Sequence, residues 1–511
     1  MPPRRSGRLK LVEAPCLAST PEVSDSNKKR VSIDCLPDAL LLQVLASIEP
    51  CQAAERREVL PLVCKRWNLL LQAPSALWES MVLDFCHKDA PHQRLLRSAI
   101  QGWMKARGSS IKSLTLKNSS ADTTHSFAHN GKSLGNMFTA VAGGLQLLEV
   151  DNCNDIFTQN TFEDLPMLTQ LRKLHISNCR KCLLSSSFDH LVSLRDLQDL
   201  RIAGDTDYEN VLTTNCLTSF PTALFHLTKL TSLSLSSRGL TDIPSGISTL
   251  LQLQKLTLDG CSNLKPLPAP LCSIKSLQEL SLNDIAGSLL VDSIRNFTLE
   301  KLSLRRSGVH VLGVGLTHCT IKQLDVSHNA FAGNAPTLLD KYQHLGLEVL
   351  NLNSCELDTL PAGVNALSAL KVLDLGNNGM VDLPDSLSSL THLECLNLQG
   401  NCFPILPQAV QKLKSLCCLS LVACNYLEIP CWDAIAFFAK WPRLRTIWMW
   451  KTDGVEYQNY SKAALQQLKT KLKRKRTRLR DSTLCYEMQD APDMNIELIM
   501  HGLTSSLTLS T

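Results

Sequence analysis

The chain has no long apolar run. Nothing in its 511 residues approaches the roughly 18 consecutive apolar positions that a membrane-spanning helix needs, so no membrane role is expected. No secretory leader is expected either: the sequence opens MPPRRSGRLK, which is basic and has no apolar core behind it. The 20 cysteines therefore read as thiols in a reducing compartment, not as a disulfide framework. Charge of one sign is in small excess. A net charge of +5 over this length does not argue for nucleic acid, and nucleic-acid binding is not expected. Catalytic patterns are lacking too: no glycine loop of the Walker type, no GxSxG elbow, no HExxH. Cys179-x-x-Cys182 is a single pair, and a zinc site needs a second pair at suitable spacing. The histidines are scattered. No metal or other cofactor is expected, and the chain reads as non-catalytic.

What fills the chain is a repeat. The unit is LxxLxLxxN/C. Clear copies begin at Leu171, Leu230, Leu253, Leu277, Leu299, Ile321, Leu347, Leu370, Leu393 and Leu416, and weaker ones at Ile111, Leu145, Leu197 and Leu444. Most neighbouring starts are about 22 to 26 residues apart. Wider gaps follow Ile111 and Leu197 and hold inserted loops or degenerate copies. In each unit the fourth and sixth positions point inward from a short strand. The ninth position holds a residue able to donate to backbone inside the turn: Cys153, Cys179, Cys261, Asn329, Cys355, Asn378, Asn401 and Cys424. Five of the 20 cysteines fall in that column. Returning segments such as TLPAGVNALSAL and DLPDSLSSLTHL carry a proline and leucines that would build the opposite side. This pattern resembles the leucine-rich repeat family over residues 111–452. The resemblance implies a solenoid with parallel strands on its concave face, each coil burying its core only against its neighbours.

A second pattern precedes the repeats. Leu36 to Pro50 reads as a short helix with Leu40, Val44 and Ile48 on one side and Leu41, Leu42 and Leu45 over much of the rest. Pro37 suits the first helical turn and Asp38 the positive end of the helix dipole. A helix apolar nearly all round must be covered on more than one side. A unit of about forty-five residues has too little core to do that alone. In the next helix Val63, Trp67 and Leu70 share a face, with Cys64 and Leu71 beside them. The order Leu36-Pro37-Asp38, Leu40-Leu41-Leu42, Val63-Cys64-Lys65-Arg66-Trp67 and Leu77-Trp78 resembles the F-box, over residues 34–83. Ala39 stands where a Glu is usual, and the connection from Glu49 to Glu58 is longer than average. The resemblance implies docking to a Skp-family adaptor, and through it to a cullin–RING ubiquitin ligase. Leu36, Pro37, Leu40, Leu41, Val44, Leu45, Ile48, Val63, Cys64 and Trp67 would form or order that surface. The other reading is an ordinary helical bundle that caps the repeats.

The expected fold is thus α/β: a small N-terminal helical F-box followed by a leucine-rich repeat solenoid. Residues 1–33 read as a disordered basic tail, 84–110 as a linking helix and repeat cap, and 453–511 as a C-terminal basic helix and tail. The piece Met81–Phe85 is expected as a short strand. On the concave face the fifth column, His175 to Ser420, is mostly small and polar. Against it stand Lys301, Arg305, Arg306 and His328, a basic spot suited to an acidic or phosphorylated segment. Trp448 and Trp450 are candidate aromatic anchors in the last strand. These residues are candidates for a substrate face, or else solvated cations and packed tryptophans. Lys473, Arg474, Lys475 and Arg476 fit a nuclear-import run or a solvated helix. Two functions are compatible with this pattern. One is the substrate-recognition subunit of a ubiquitin ligase, in cytoplasm, nucleus or both, holding a substrate protein near the transfer site. The other is a non-ligase signalling scaffold that binds a protein such as a small GTPase or phosphatase.

Overall fold

The computed structural model describes residues within 79–448; the longest segments outside the description are 85–107, 119–134, 204–216 and 425–440, besides both ends. The chain divides into two units, Met1–Ala73 and Pro74–Thr511, and everything described belongs to the second. Within it, fifteen strands form one sheet in strict chain order. They are β1 (Ser80–Asp84), β2 (Ser113–Lys117), β3 (Leu147–Asp151), β4 (Lys173–Ser177) and β5 (Asp199–Ala203). Then come β6 (Ser232–Ser236), β7 (Lys255–Thr257), β8 (Glu279–Ser281), β9 (Thr298–Ser303) and β10 (Thr320–Asp325). The last are β11 (Val349–Asn351), β12 (Val372–Asp374), β13 (Cys395–Asn397), β14 (Cys418–Ser420) and β15 (Thr446–Trp448). Every pairing is parallel and joins equivalent positions of successive units, as in Leu350 with Leu373 and Leu373 with Leu396.

This register follows from the repeat. Strand side chains alternate between faces. The fourth and sixth positions, such as Leu233 and Leu235, are fully buried, while their neighbours Ser232, Ser234 and Ser236 are half-exposed. A slip by one residue would turn the leucines out, so the apolar pattern holds the register. One continuous core results, from Met81 to Trp441. Both wide gaps are insertions and not degenerate coils in the sheet. β2 pairs directly with β3, and β5 directly with β6. The sheet also starts earlier than the first leucine unit: β1 pairs with β2 over its whole length.

The return path is built from 3-10 turns. A proline opens many of them, at Pro221, Pro244, Pro268, Pro361 and Pro384. Its missing N–H costs nothing at a helix start, and its carbonyl accepts the first bond, as from Val364 N to Pro361 O at 3.1 Å. Such a turn has 3.0 residues per turn, so positions i and i+3 eclipse. That is why the inward residues recur every third position, as in Val364, Leu367 and Leu370, all buried. The chain-order bonds Leu367 N to Val364 O and Leu370 N to Leu367 O continue the staircase into the next strand. Early coils put phenylalanines on the return path. Phe157, Phe162 and Phe188 pack in sequence, the first pair edge-to-face and the second tilted, with ring centroids 5.5 and 5.9 Å apart. Three short α-helices occur among the described residues: α1 (Gly135–Val141), α2 (Gln159–Asp164) and α3 (Gln408–Gln411).

Candidate functional site

An internal ladder holds the coils and thereby presents the open face of the sheet. At the ninth position Asn378 Nδ2 donates to the carbonyls of Leu352, Leu375 and Gly376, while its Oδ1 accepts from the backbone N–H of Cys355 and Leu357. Asn329 and Asn401 donate in the same way. Cysteines at this position donate S–H to a backbone carbonyl, as Cys355 does to Val326 O at 3.3 Å. Burial pushes the Cys355 thiol up to about 12, so it stays a structural thiol. Two serines join the interior ladder. Ser307 sits at the ninth position and bonds Leu282 O, and Ser237, one place earlier in its unit, bonds Leu217 O.

The eighth position turns the chain out of the strand with φ near +55°. Asn118, Asn152, Asn178, Asp284 and Asn377 adopt it, as do Gly260 and Gly400. These are the residue types that visit the left-handed region most readily. Arg306 (φ 51°), His328 (φ 58°), Ser354 and Ala423 adopt it too.

On the open face the fifth column is unbroken from Val82 in β1 to Trp448 in β15. Beyond the run from His175 to Ser420, register adds Thr115 and Glu149 at one end and Trp448, paired with Ser420, at the other. Three polar groupings lie along this face. The first spans β2 to β5. Thr115 donates to Glu149 at 3.1 Å, His175 lies 3.4 Å from Glu149 and 3.0 Å from Asp199, and Arg201 donates twice to Asp199 at 3.2 Å. Burial opposes ionisation of Asp199. Hydrogen bonds from His175, Arg201 and Ser232 outweigh it and hold the carboxyl well below the usual carboxylate range.

The second grouping is the basic spot. Lys301 lies in β9 between Glu279 and Gln323 in register. Arg305 Nη2 donates to His328 Nε2 at 3.2 Å, and its backbone N–H donates to Asn283. Arg305 Nε is buried with no hydrogen-bond partner. The spot is weaker than the sequence suggests in one respect: Arg306 is drawn to Asp284, 2.7 Å away. Both occupy the eighth position of adjacent coils, so parallel stacking brings them together.

The third grouping covers β11 to β14. Asp374 Oδ1 accepts from Gly376 N, Asn353 and Asn397. Burial raises the Asp374 carboxyl to about 6, against these three donors. Beside it, in the third column, Val349, Val372 and Cys395 form a small apolar cluster separate from the main core, with Cys418 packed on its edge. Sequence inspection missed the first and third groupings. Their signal is present only once the units are aligned and columns are read across coils.

Leu36, Pro37, Leu40, Leu41, Val44, Leu45, Ile48, Val63, Cys64 and Trp67 lie outside the described residues, as do Trp450 and the run Lys473, Arg474, Lys475 and Arg476. Among the described residues no cluster of His, Cys, Asp and Glu could hold a metal ion, and no helix is long and apolar enough to cross a membrane.

A parallel solenoid with an asparagine–cysteine interior ladder and one open, polar sheet face is a scaffold for binding proteins. Residues 324–492 match the family model for a leucine-rich repeat region. The chain thus carries a leucine-rich repeat region. It is similar to the probable serine/threonine-protein kinase pats1 of Dictyostelium discoideum, at 32% identity over 162 residues. That match takes in 29% of this chain and spans only 5% of the kinase's length. Among solved structures it is similar to a leucine-rich repeat protein of Leptospira interrogans, with TM-score 0.47 and 18% identity over 80% of this chain and 97% of that one. An internalin of Listeria monocytogenes gives TM-score 0.42 and 19% identity over 73% and 96%.

Proposed function

We propose that this chain is the non-catalytic substrate-recognition subunit of an SCF-type cullin–RING ubiquitin ligase, working in the cytoplasm, the nucleus or both. The recognition half rests on one observation: an unbroken open face of fifteen in-register strands, lined by small polar side chains and broken by three charged groupings. Such a face accepts a protein surface without a deep pocket. The ligase half is supported by the ordered motif from Leu36 to Trp78, which resembles the F-box. The two helices that its sequence predicts would carry more apolar surface than a small helical unit covers. A Skp-family adaptor would cover Leu36, Pro37, Leu40, Leu41, Val44, Leu45 and Ile48. Catalysis would then be proximity, raising the local concentration of substrate lysines at the conjugating enzyme. The basic spot, centred on Arg305 with its unpaired Nε, suits an acidic or phosphorylated stretch of the substrate.

The second reading is a signalling scaffold without a ligase role, and the 162-residue likeness to a probable kinase favours it. Gel filtration with a purified Skp-family adaptor separates the two. A one-to-one complex that is lost in Leu36→Ala/Pro37→Ala/Leu41→Ala supports the receptor. If the wild type elutes alone, and the folded triple mutant behaves identically, the receptor reading fails.

A further inference from the structure

β13 and β14 place two cysteines side by side. Register pairs Cys395 with Cys418, both in the third column of the open face. In-register neighbours of a parallel sheet lie about 4.8 Å apart, within the range of about 4.4–6.8 Å between Cα atoms that a disulfide spans. The two thiols lie close enough to interact with one another. Cys395 is buried, packed against Val349 and Val372, and Cys418 at the edge of that cluster is partly exposed. The ladder thiols are disposed otherwise. Cys153, Cys179, Cys355 and Cys424 each donate to a backbone carbonyl in the coil interior. Cys417, next in sequence to Cys418, bonds the carbonyl of Ser415.

We infer that Cys395 and Cys418 are a redox-switchable dithiol, which a peroxide closes into a disulfide joining two neighbouring coils across the open face. The partly exposed Cys418 sulfur attacks one peroxide oxygen and the O–O bond breaks. The departing hydroxide takes the proton released by the Cys418 thiol and leaves as water, and Cys418 becomes a sulfenic acid. Cys395 sulfur then attacks Cys418 sulfur. The sulfenic hydroxyl leaves with the Cys395 proton as a second water. Two thiols and one peroxide thus give one disulfide and two waters, the two electrons passing from sulfur to oxygen.

Side chains in one column of a parallel sheet leave the backbone in the same direction. Their Cβ atoms stand near the strand spacing, wider than the roughly 3.5–4.5 Å of a relaxed bridge. The closed bond therefore pulls β13 and β14 together and is held under strain, which makes it easy to reduce. Oxidation would remove both thiols from the apolar strip and tighten the face beside Asp374, without touching the interior ladder.

The test uses the full reduced chain, titrated with hydrogen peroxide, alkylated and digested with trypsin. The expected product joins peptide 372–412 to peptide 415–440, disappears on treatment with dithiothreitol, and is lost in Cys395→Ser and in Cys418→Ser. It persists in Cys402→Ser and Cys417→Ser, which share those peptides. Circular dichroism confirms that each variant is folded, and Cys418→Ala serves where Cys418→Ser is not. Over-oxidation of Cys418 with no linkage, or a linkage that survives Cys418→Ser or Cys418→Ala, overturns the inference.

Discussion

Asn378→Ala should be among the most damaging single changes in the repeat array. Asn378 joins two coils through five bonds to backbone groups. Some of those groups keep a partner after truncation. Leu375 O still accepts from Asn401 Nδ2, and Gly376 O still accepts from Ser354 N. The Cys355 and Leu357 N–H groups and the Leu352 carbonyl lose theirs. A buried backbone group left unsatisfied costs about 1–3 kcal/mol. Three such groups, partly relieved by water entering the vacated space, give an expected loss of about 3–5 kcal/mol. Coils of a solenoid interact with their neighbours, so the loss should be local. Hydrogen exchange read by mass spectrometry is therefore the assay. The amides of Cys355 and Leu357 should exchange at least about a hundredfold faster, since about 1.4 kcal/mol corresponds to a factor of ten. Amides in β2 to β5 should be unchanged. Exposed Asn377→Ala is the control, expected to cost only about 1–2 kcal/mol for its left-handed backbone. Exchange at Cys355 and Leu357 within threefold of wild type would refute the ladder as a source of stability.

Three further outcomes follow from the same geometry. Asp374 releases its proton near 3.8 when unfolded and near 6 when folded. Between those values the native state holds more protons, so stability falls as pH rises and levels off above about pH 6. Asp374→Asn keeps the acceptor for Gly376, Asn353 and Asn397; it should flatten that slope and raise the urea midpoint at pH 7.5, by at most about 3 kcal/mol in stability. Gly400→Ala should cost about 1–2 kcal/mol or more, because φ is +63° and the new Cβ would sit 2.3 Å from Asn377 Oδ1; a thermal melt equal to wild type would contradict this. Leu375→Ala, at a fully buried position just past β12, should cost about 2–5 kcal/mol, read by urea denaturation of the repeat array.

Much of this fold is written in two periods. LxxLxL places leucines on one face of a strand, and Pro-x-x-Leu with leucines every third residue places them on one side of a 3-10 turn. Both periods are local, so strands β2 to β15 and their register can be read before any coordinates. β1 is less legible. Ser80–Asp84 offers only Met81 and Leu83 as inward residues, and it pairs with β2 across an intervening stretch of chain. The polar groupings were legible only in part. Lys301, Arg305 and His328 stand out by type, but the pairing of Arg306 with Asp284 depends on position eight stacking on position eight. Asp199 and Asp374 were hidden for the same reason. Asp374 lies in the fifth column and Asp199 in the third, and each draws partners from neighbouring coils more than twenty residues away, His175 for Asp199 and Asn353 and Asn397 for Asp374. The cysteines show the limit of reading by type. A residue that is a ladder donor at Cys355 is half of a facing pair at Cys395, and only the strand position distinguishes them.

The most direct measurement on the central claim is hydrogen exchange of the full chain with and without a purified Skp-family adaptor. The account predicts strong new protection in Leu36–Ile48 and Leu60–Trp67, with strands β2 to β14 unchanged, leaving the open face available for a substrate. Protection confined to the repeat strands, or none at adaptor concentrations far above the chain's, would contradict it and leave a repeat scaffold without a ligase.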